Sequence, residues 1–153
     1  MREKARLILT VGFPRSGKTT WVREYSREHG IPVVSPDAIR KRLCGLNFRA
    51  EIETLVWSIA DTMVAALAEY HDVIILDATN LTDARRSRWV HDYIVQLAVF
   101  PASADVCMER ARACCREDLV PVIKRMSVEM QHPADPNYEV IYHDDFRHPL
   151  EKS

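Results

Sequence analysis

The chain has 153 residues, enough for one domain with a core of its own and with little room for a second. Hydrophobic residues make up 47% and charged residues 28%, with a formal net charge of -1. That balance excludes a disordered polyelectrolyte, and the near-zero charge excludes nucleic-acid binding by a global basic field. At this length a domain buries about 70% of the surface its unfolded chain exposes, so covalent staples are not required.

The first apolar run, Ala5 to Val11, reads as a buried strand, too short for a signal-peptide core or a membrane span. Lys18 to His29 follows as a helix, stopped by Gly30 because glycine accepts the left-handed cap. Pro32 to Ser35 is a short second strand. Ser35 then caps a helix whose first position is Pro36. From Glu51 to Tyr70, Ile52, Leu55, Val56, Ile59, Met63, Leu67 and Tyr70 recur at helical intervals, with Trp57 off that stripe. Val73 to Asp77 (VIILD) has the continuous apolar character of a central parallel strand with a carboxylate at its end. Thr82 or Asp83 caps a helix running towards Val90, and Tyr93 to Phe100 is a fourth strand. Helices over Ser103 to Cys115 and Leu119 to Met130 precede a weak last strand at Val140 to Tyr142. Strands alternating with helices imply parallel pairing and right-handed crossovers, hence one α/β domain over 1–153.

Cys44, Cys107, Cys114 and Cys115 contain no C-x-x-C pair, and vicinal cysteines suit a disulfide poorly, so reduced thiols and a cytoplasmic location are expected. His143 and His148 lack the i, i+4 spacing of a metal pair and are read as packing or surface residues. Trp21, Trp57 and Trp89 are assigned to core or edge packing.

Gly12-Phe13-Pro14-Arg15-Ser16-Gly17-Lys18-Thr19 matches G-x-x-x-x-G-K-S/T and lies between a strand and a helix. By composition alone that match arises in roughly one chain of this length in two hundred. Glycines let successive N-H groups turn inward onto phosphate oxygens, and the following helix adds its positive end. The expected ligand is ATP or another nucleoside triphosphate with Mg2+: Lys18 on the β- and γ-phosphates, Thr19 on the metal, Thr20 on the α-phosphate. Asp77 is the expected second metal carboxylate, with a turn or cap residue as the plainer reading.

Asp37 and Arg40 share one face of the helix that begins at Pro36. A carboxylate there suits proton abstraction from an acceptor hydroxyl, and a guanidinium suits an anionic acceptor group. The same spacing equally fits a surface ion pair favoured by the helix dipole. Arg110, Arg112 and Arg116 lead to Val120-Pro121, as in a mobile lid at about 110–124 that neutralises developing charge. A solvated helix face explains those arginines at least as well.

Taken together, GFPRSGKTT, the Asp37-to-Arg40 spacing, DATNLT at Asp77 to Thr82 and REDLVPVIKRM at Arg116 to Met126 resemble one family. It comprises the small kinases related to the 5'-kinase domain of bacteriophage polynucleotide kinase, and the resemblance covers nearly the whole chain. It implies a P-loop kinase sandwich of about five parallel strands, helices on both faces and a small helical lid. It implies transfer of the γ-phosphoryl of ATP to the 5'-hydroxyl of DNA or RNA; a kinase of a small-molecule alcohol and a non-catalytic nucleotide-binding module are the alternative readings. Asp37 is then the general base, Arg40 the clamp on the acceptor phosphate, Arg116 the lid arginine with Arg112 as its substitute. Gly12, Pro14, Arg15, Ser16, Gly17, Lys18, Thr19, Thr20, Arg112 and Arg116 hold ATP, and Thr79 and Asn80 lie on the acceptor side. Arg85, Arg86 and Arg88 fit either a nucleic-acid backbone or a solvated face. No space remains for a fused phosphatase or ligase domain, so an end-healing or ligase partner is expected on a separate chain.

Overall fold

The computed structural model describes residues 2–45, 49–134 and 138–143. Five strands form one sheet: β1 (Arg6–Val11), β2 (Val33–Val34), β3 (Val73–Leu76), β4 (Ile94–Val99) and β5 (Glu139–Tyr142). Their spatial order is β2-β3-β1-β4-β5, and every pairing is parallel. Six helices connect them: α1 (Lys18–His29), α2 (Pro36–Cys44), α3 (Glu53–Ala68), α4 (Asp83–Ser87), α5 (Ala104–Ala113) and α6 (Leu119–Glu129). This is the α/β sandwich expected from the alternation of strands and helices.

Alternation along the strands decides which helix covers which face. Leu7, Leu9 and Val11 join Ile74, Leu76, Leu97 and Val99 against Ile39 of α2 and Val56, Ala60 and Val64 of α3. Ile8, Ile75 and Ala98 point the other way, onto Val22, Trp21 and Tyr25 of α1. A third cluster joins Phe13 and Leu81 to Cys107, Met108, Ala111 and Ile123, so α5 and α6 pack over the loops at the carboxyl ends of the strands. The chain leaves β1 towards β2 on one side and reaches β4 on the other. The carboxyl end of β1 is therefore the switch point at which such sheets bind ligands.

Two helices depart from the sequence expectation. The helix expected over Glu51 to Tyr70 opens with a 3-10 turn, Ala50–Ile52, and becomes α-helical only at Glu53. The helix expected to reach Val90 is α-helical only to Ser87; Trp89 and Val90 then donate to carbonyls three residues back, which tightens the chain into turns. Pro121 lies inside the first turn of α6, where its missing N-H costs nothing. Caps follow the sequence: Ser35, Thr82 and Ser103 each accept from the N-H three residues on. Cys44, Cys107, Cys114 and Cys115 are thiols. His143 stacks on Phe100 with ring centroids 5.0 Å apart, while His148 lies outside the described residues. Among the described residues no helix is long and apolar enough to cross a membrane.

Candidate active site

Beyond Val11 the backbone turns sharply. The Gly12 N-H donates to the Thr79 carbonyl at 3.1 Å. A Cβ on Gly12 would stand 2.7 Å from Ser16 Oγ and 3.0 Å from the Phe100 carbonyl oxygen, so only glycine fits. Arg15 (φ 69°) and Gly17 (φ 102°) both occupy the left-handed region. Such residues turn neighbouring N-H groups to one side, the arrangement of a backbone anion cradle, and α1 presents its amino end directly behind. Pro14 is half-buried, Ser16 is buried with its Oγ unpartnered inside the loop, and Thr19 and Thr20 are exposed on the first turn of α1.

Lys18 is folded over this loop. Its Nζ donates to the carbonyls of Gly12 at 2.9 Å and Phe13 at 2.7 Å, which leaves one ammonium N-H unspent. Burial pushes its pKa from 10.5 down to about 8, against the opposing charges of Asp77, Cys107 and Asp37. Those charges place the two expected carboxylates within electrostatic reach of the lysine.

Asp77 follows β3, beside β1. Burial raises its pKa; the Lys18 charge and a hydrogen bond from Thr10 pull the other way. Thr10, fully buried near the end of β1, donates to the Ala78 carbonyl at 2.7 Å and accepts from the Ala78 N-H at 3.0 Å. Asn80, at φ 44°, is buried, with its Nδ2 donating to the Thr10 carbonyl at 2.8 Å. Its amide thus lies under β1 and not on an open acceptor wall; of the expected pair, only Thr79 keeps a partly exposed side chain. Thr19 and Asp77 offer the hydroxyl and carboxylate that Mg2+ takes while keeping several waters, and a bound Mg2+ would neutralise phosphate charge there. Among the described residues no group of three His, Cys, Asp or Glu side chains is placed to hold a metal ion.

Asp37 and Arg40 lie on the first turns of α2 and are bonded to each other, Arg40 Nη1 to Asp37 Oδ1. A third residue joins them. Glu53, the first residue of α3, receives Arg40 Nε and Nη2 side by side, both at 2.7 Å. The Glu53 contact raises the Arg40 pKa, and Arg40 in turn holds the Glu53 carboxyl below its ordinary range. Three of the five guanidinium N-H donors are thereby used, and one remains on each of Nη1 and Nη2. Nothing in the spacing of Glu53 from Arg40 announces this pairing; the two meet because α2 packs on α3.

On the other side of the loop, Arg110 of α5 donates to the Arg15 carbonyl at 3.1 Å. Arg116 is exposed and forms a two-point pair with Asp118, at 3.0 and 3.1 Å. Arg112 is exposed. The arginine that reaches the phosphate loop is therefore Arg110, which the lid reading did not select. Arg86 departs further from expectation: its side chain is fully buried, and it donates to the carbonyls of Asn80, Leu81 and Gln131 and to Asp83. It fastens the DATNLT segment to the end of α6 and faces neither solvent nor ligand. A cleft of about 230 Å³ between Asp61, Arg88 and Tyr93 lies at the amino end of β4, away from these groups.

A parallel sheet in the order 2-3-1-4-5, with this loop after β1 and a carboxylate after β3, defines a P-loop kinase fold. Residues 7–133 match the family described as AAA domain, and the chain belongs to that family. Solved structures agree on the fold. A putative kinase from Chloroflexus aurantiacus superposes with TM-score 0.69 at 17% identity, covering 93% of this chain and 89% of that one. A gluconokinase from Sinorhizobium meliloti gives TM-score 0.68 at 14% identity, covering 99% and 88%. A chain of the Pnkp1/Rnl/Hen1 RNA repair complex gives TM-score 0.65 at 21% identity; 84% of this chain is matched but only 47% of that one. No curated protein matches significantly.

Proposed function

We propose that the protein is an ATP-dependent phosphotransferase acting on a hydroxyl, with the 5'-hydroxyl end of DNA or RNA as acceptor. The observation that carries this reading is the placement of Lys18, Asp77 and Asp37 in the segments directly after the adjacent parallel strands β1, β3 and β2, at the carboxyl end of the sheet. A nucleotide switch needs the first two groups and has no use for the third.

In the reaction, the acceptor hydroxyl gives its proton to Asp37 as its oxygen bonds the γ-phosphorus. The bond from that phosphorus to the β,γ-bridging oxygen breaks, and ADP leaves with the electron pair. Lys18 and the loop amides hold the β- and γ-phosphates in line, work that is positioning and charge neutralisation more than covalent chemistry. The two unspent N-H donors of Arg40 suit an anionic group beside the attacking hydroxyl. Arg116 reaches the phosphates when it exchanges Asp118 for them, a trade of one anion for another. Near-neutral overall charge suits recognition of terminal nucleotides over long backbone tracking.

A small-molecule alcohol is the second reading, favoured by the likeness over nearly full length to a gluconokinase. Radiolabel transfer from [γ-32P]ATP to a 5'-hydroxyl oligonucleotide, beside a panel of small alcohols, tests both. Label on the oligonucleotide supports the first reading, and label confined to a small alcohol replaces it with the second. Asp37→Asn should lose transfer while keeping ATP affinity; unchanged turnover removes Asp37 from the mechanism.

A further inference from the structure

The three arginines of the α4 segment have separate fates. Arg86 is consumed by backbone carbonyls in the interior. Arg88 grips both oxygens of Asp61, at 2.7 and 2.6 Å, and its guanidinium lies 4.7 Å from the Trp89 ring centroid and 5.6 Å from that of Trp57. Arg85 is exposed, with its guanidinium 5.5 Å from the centroid of the Trp57 ring, and it has no side-chain hydrogen bond to a described residue. A cation over an indole face is held in place while its N-H edge stays available.

Trp57 stands one helical turn after Glu53 on α3, so both residues share a face. Glu53 is the carboxylate that grips Arg40, and the charge of Arg85 also acts on it. Arg40 of α2 grips this carboxylate, and Arg85 of α4 lies over the ring one turn further along the same helix, close enough for its charge to act on it. Charge balance gives Arg85 its purpose. Arg40 alone faces two carboxylates, Asp37 and Glu53, a net negative patch that would repel a phosphorylated acceptor. Arg85 brings the patch to neutrality and adds unspent donors.

The geometry points to a two-point anion site on the acceptor flank, formed by Arg40 and Arg85 and oriented by Glu53 and Trp57, for an acceptor bearing two phosphate groups beyond its reacting hydroxyl. It rests on the phosphotransferase reading above and deepens it. Arg40 takes the phosphate nearest the hydroxyl through its unspent donors, and Arg85 takes the next. Glu53 and Trp57 are positioning residues, one by hydrogen bonds and the other by its ring. A nucleic-acid strand and a small bisphosphorylated alcohol share this chemistry.

Steady-state kinetics on the full chain separate them. The acceptors are a nucleoside 3'-monophosphate, a 5'-hydroxyl trinucleotide and a bisphosphorylated sugar alcohol. Arg85→Ala should raise KM for a two-phosphate acceptor about tenfold, the worth of one charge-assisted hydrogen bond. KM for ATP should stay within about twofold, and KM for the monophosphate should rise less than for a two-phosphate acceptor, since the monophosphate loses the charge balance but not a second point of contact. Glu53→Gln should raise KM for both kinds of acceptor, with partial recovery in Glu53→Asp, while KM for ATP holds. A larger Arg85 effect on the trinucleotide assigns the strand, and a larger one on the sugar assigns the small acceptor. No effect, or an equal effect on all acceptors and on ATP, overturns the site.

Binding gives a readout without turnover. The trinucleotide is titrated into chain loaded with ADP and Mg2+, and Trp57 emission is taken as the difference from Trp57→Phe. An emission change lost in Arg85→Ala supports the site even in a chain that transfers nothing, which would sink the phosphotransferase reading alone. Transfer to a neutral alcohol with no emission change for either two-phosphate probe overturns the site and leaves that reading standing.

Discussion

Thr10 and Ala78 exchange two hydrogen bonds: the threonine hydroxyl donates to the alanine carbonyl at 2.7 Å and accepts from the alanine N-H at 3.0 Å. This pair fixes the backbone that leaves β3 directly after Asp77, and so sets where that carboxylate stands relative to the phosphate loop. Thr10→Val keeps the shape and removes both bonds. It should destabilise the chain by about 1–3 kcal/mol in urea unfolding, since a buried N-H and carbonyl lose their partner. Thr10→Ser should recover most of the loss. If Val and Thr unfold alike, the latch is not holding that segment.

Lys18 makes nucleotide affinity depend on pH in one direction. Its pKa is about 8 in the free chain because burial disfavours the ammonium. A triphosphate favours the ammonium and raises that value, so above about pH 8 the complex holds a proton that the free chain has released. Binding should take up protons there, and affinity should fall as pH rises, with no such dependence from this group near pH 7. Calorimetry in two buffers of different ionisation enthalpy measures the uptake, and Lys18→Met should abolish it. In the unfolded chain the amine keeps its proton up to 10.5, so the nucleotide-free fold should gain stability as pH rises from 8 towards 10.5.

Gly12→Ala tests the loop by crowding. The added methyl would meet Ser16 Oγ at 2.7 Å and the Phe100 carbonyl oxygen at 3.0 Å. The serine can rotate, but the carbonyl belongs to the chain just past β4. ATP affinity should fall at least tenfold by calorimetry, while the circular dichroism spectrum stays that of the parent. Retained affinity would mean that the loop tolerates a side chain there.

Arg86→Lys keeps a positive charge and loses the fork that reaches three carbonyls. Stability should drop by about 2–4 kcal/mol, because buried acceptors are left without donors. Arg85→Lys, on the same segment, should fall within about 0.5 kcal/mol of the parent, as exposed substitutions do. Equal losses at the two positions would contradict the inward placement of Arg86.

Arg116 and Arg112 separate by kinetics. Arg116→Ala should lower kcat on the order of 10²-fold, the cost of removing one donor to developing charge. Arg112→Ala should leave kcat within about twofold. The reverse result would transfer the lid role one helical turn back.

Much of the architecture was legible because period and length speak for themselves. VIILD and the Leu7-to-Val11 run are set by burial, and burial leaves its pattern in the order of residues; on α3 the expected stripe is shifted, with Val56, Ala60 and Val64 buried while Leu55, Met63 and Tyr70 are exposed. The phosphate loop was legible because its glycines and lysine are fixed by local geometry. What escaped are partners brought together by tertiary packing. Glu53 lies 13 positions from Arg40, and Arg110 lies 95 from the Arg15 carbonyl it reaches. No spacing rule spans such distances. Arg86 misled because an arginine in a basic run reads as exposed, while its three carbonyl partners carry no side-chain signature. Thr10 did leave a mark: it is the one polar residue in the apolar run from Leu7 to Val11, and a hydroxyl there has to find company.

The contact from Arg110 to Arg15 ties the loop to α5, far along the chain. Arg15 sits in the left-handed region with a full side chain, a conformation that costs roughly 1–2 kcal/mol and tends to relax unless something opposes it. A helix reaching across to hold that carbonyl works as a brace, keeping the cradle cocked between turnovers. Events on α5 then reach the nucleotide without touching it: loosening the brace would lengthen the wait for a competent loop more than it would weaken the grip once formed.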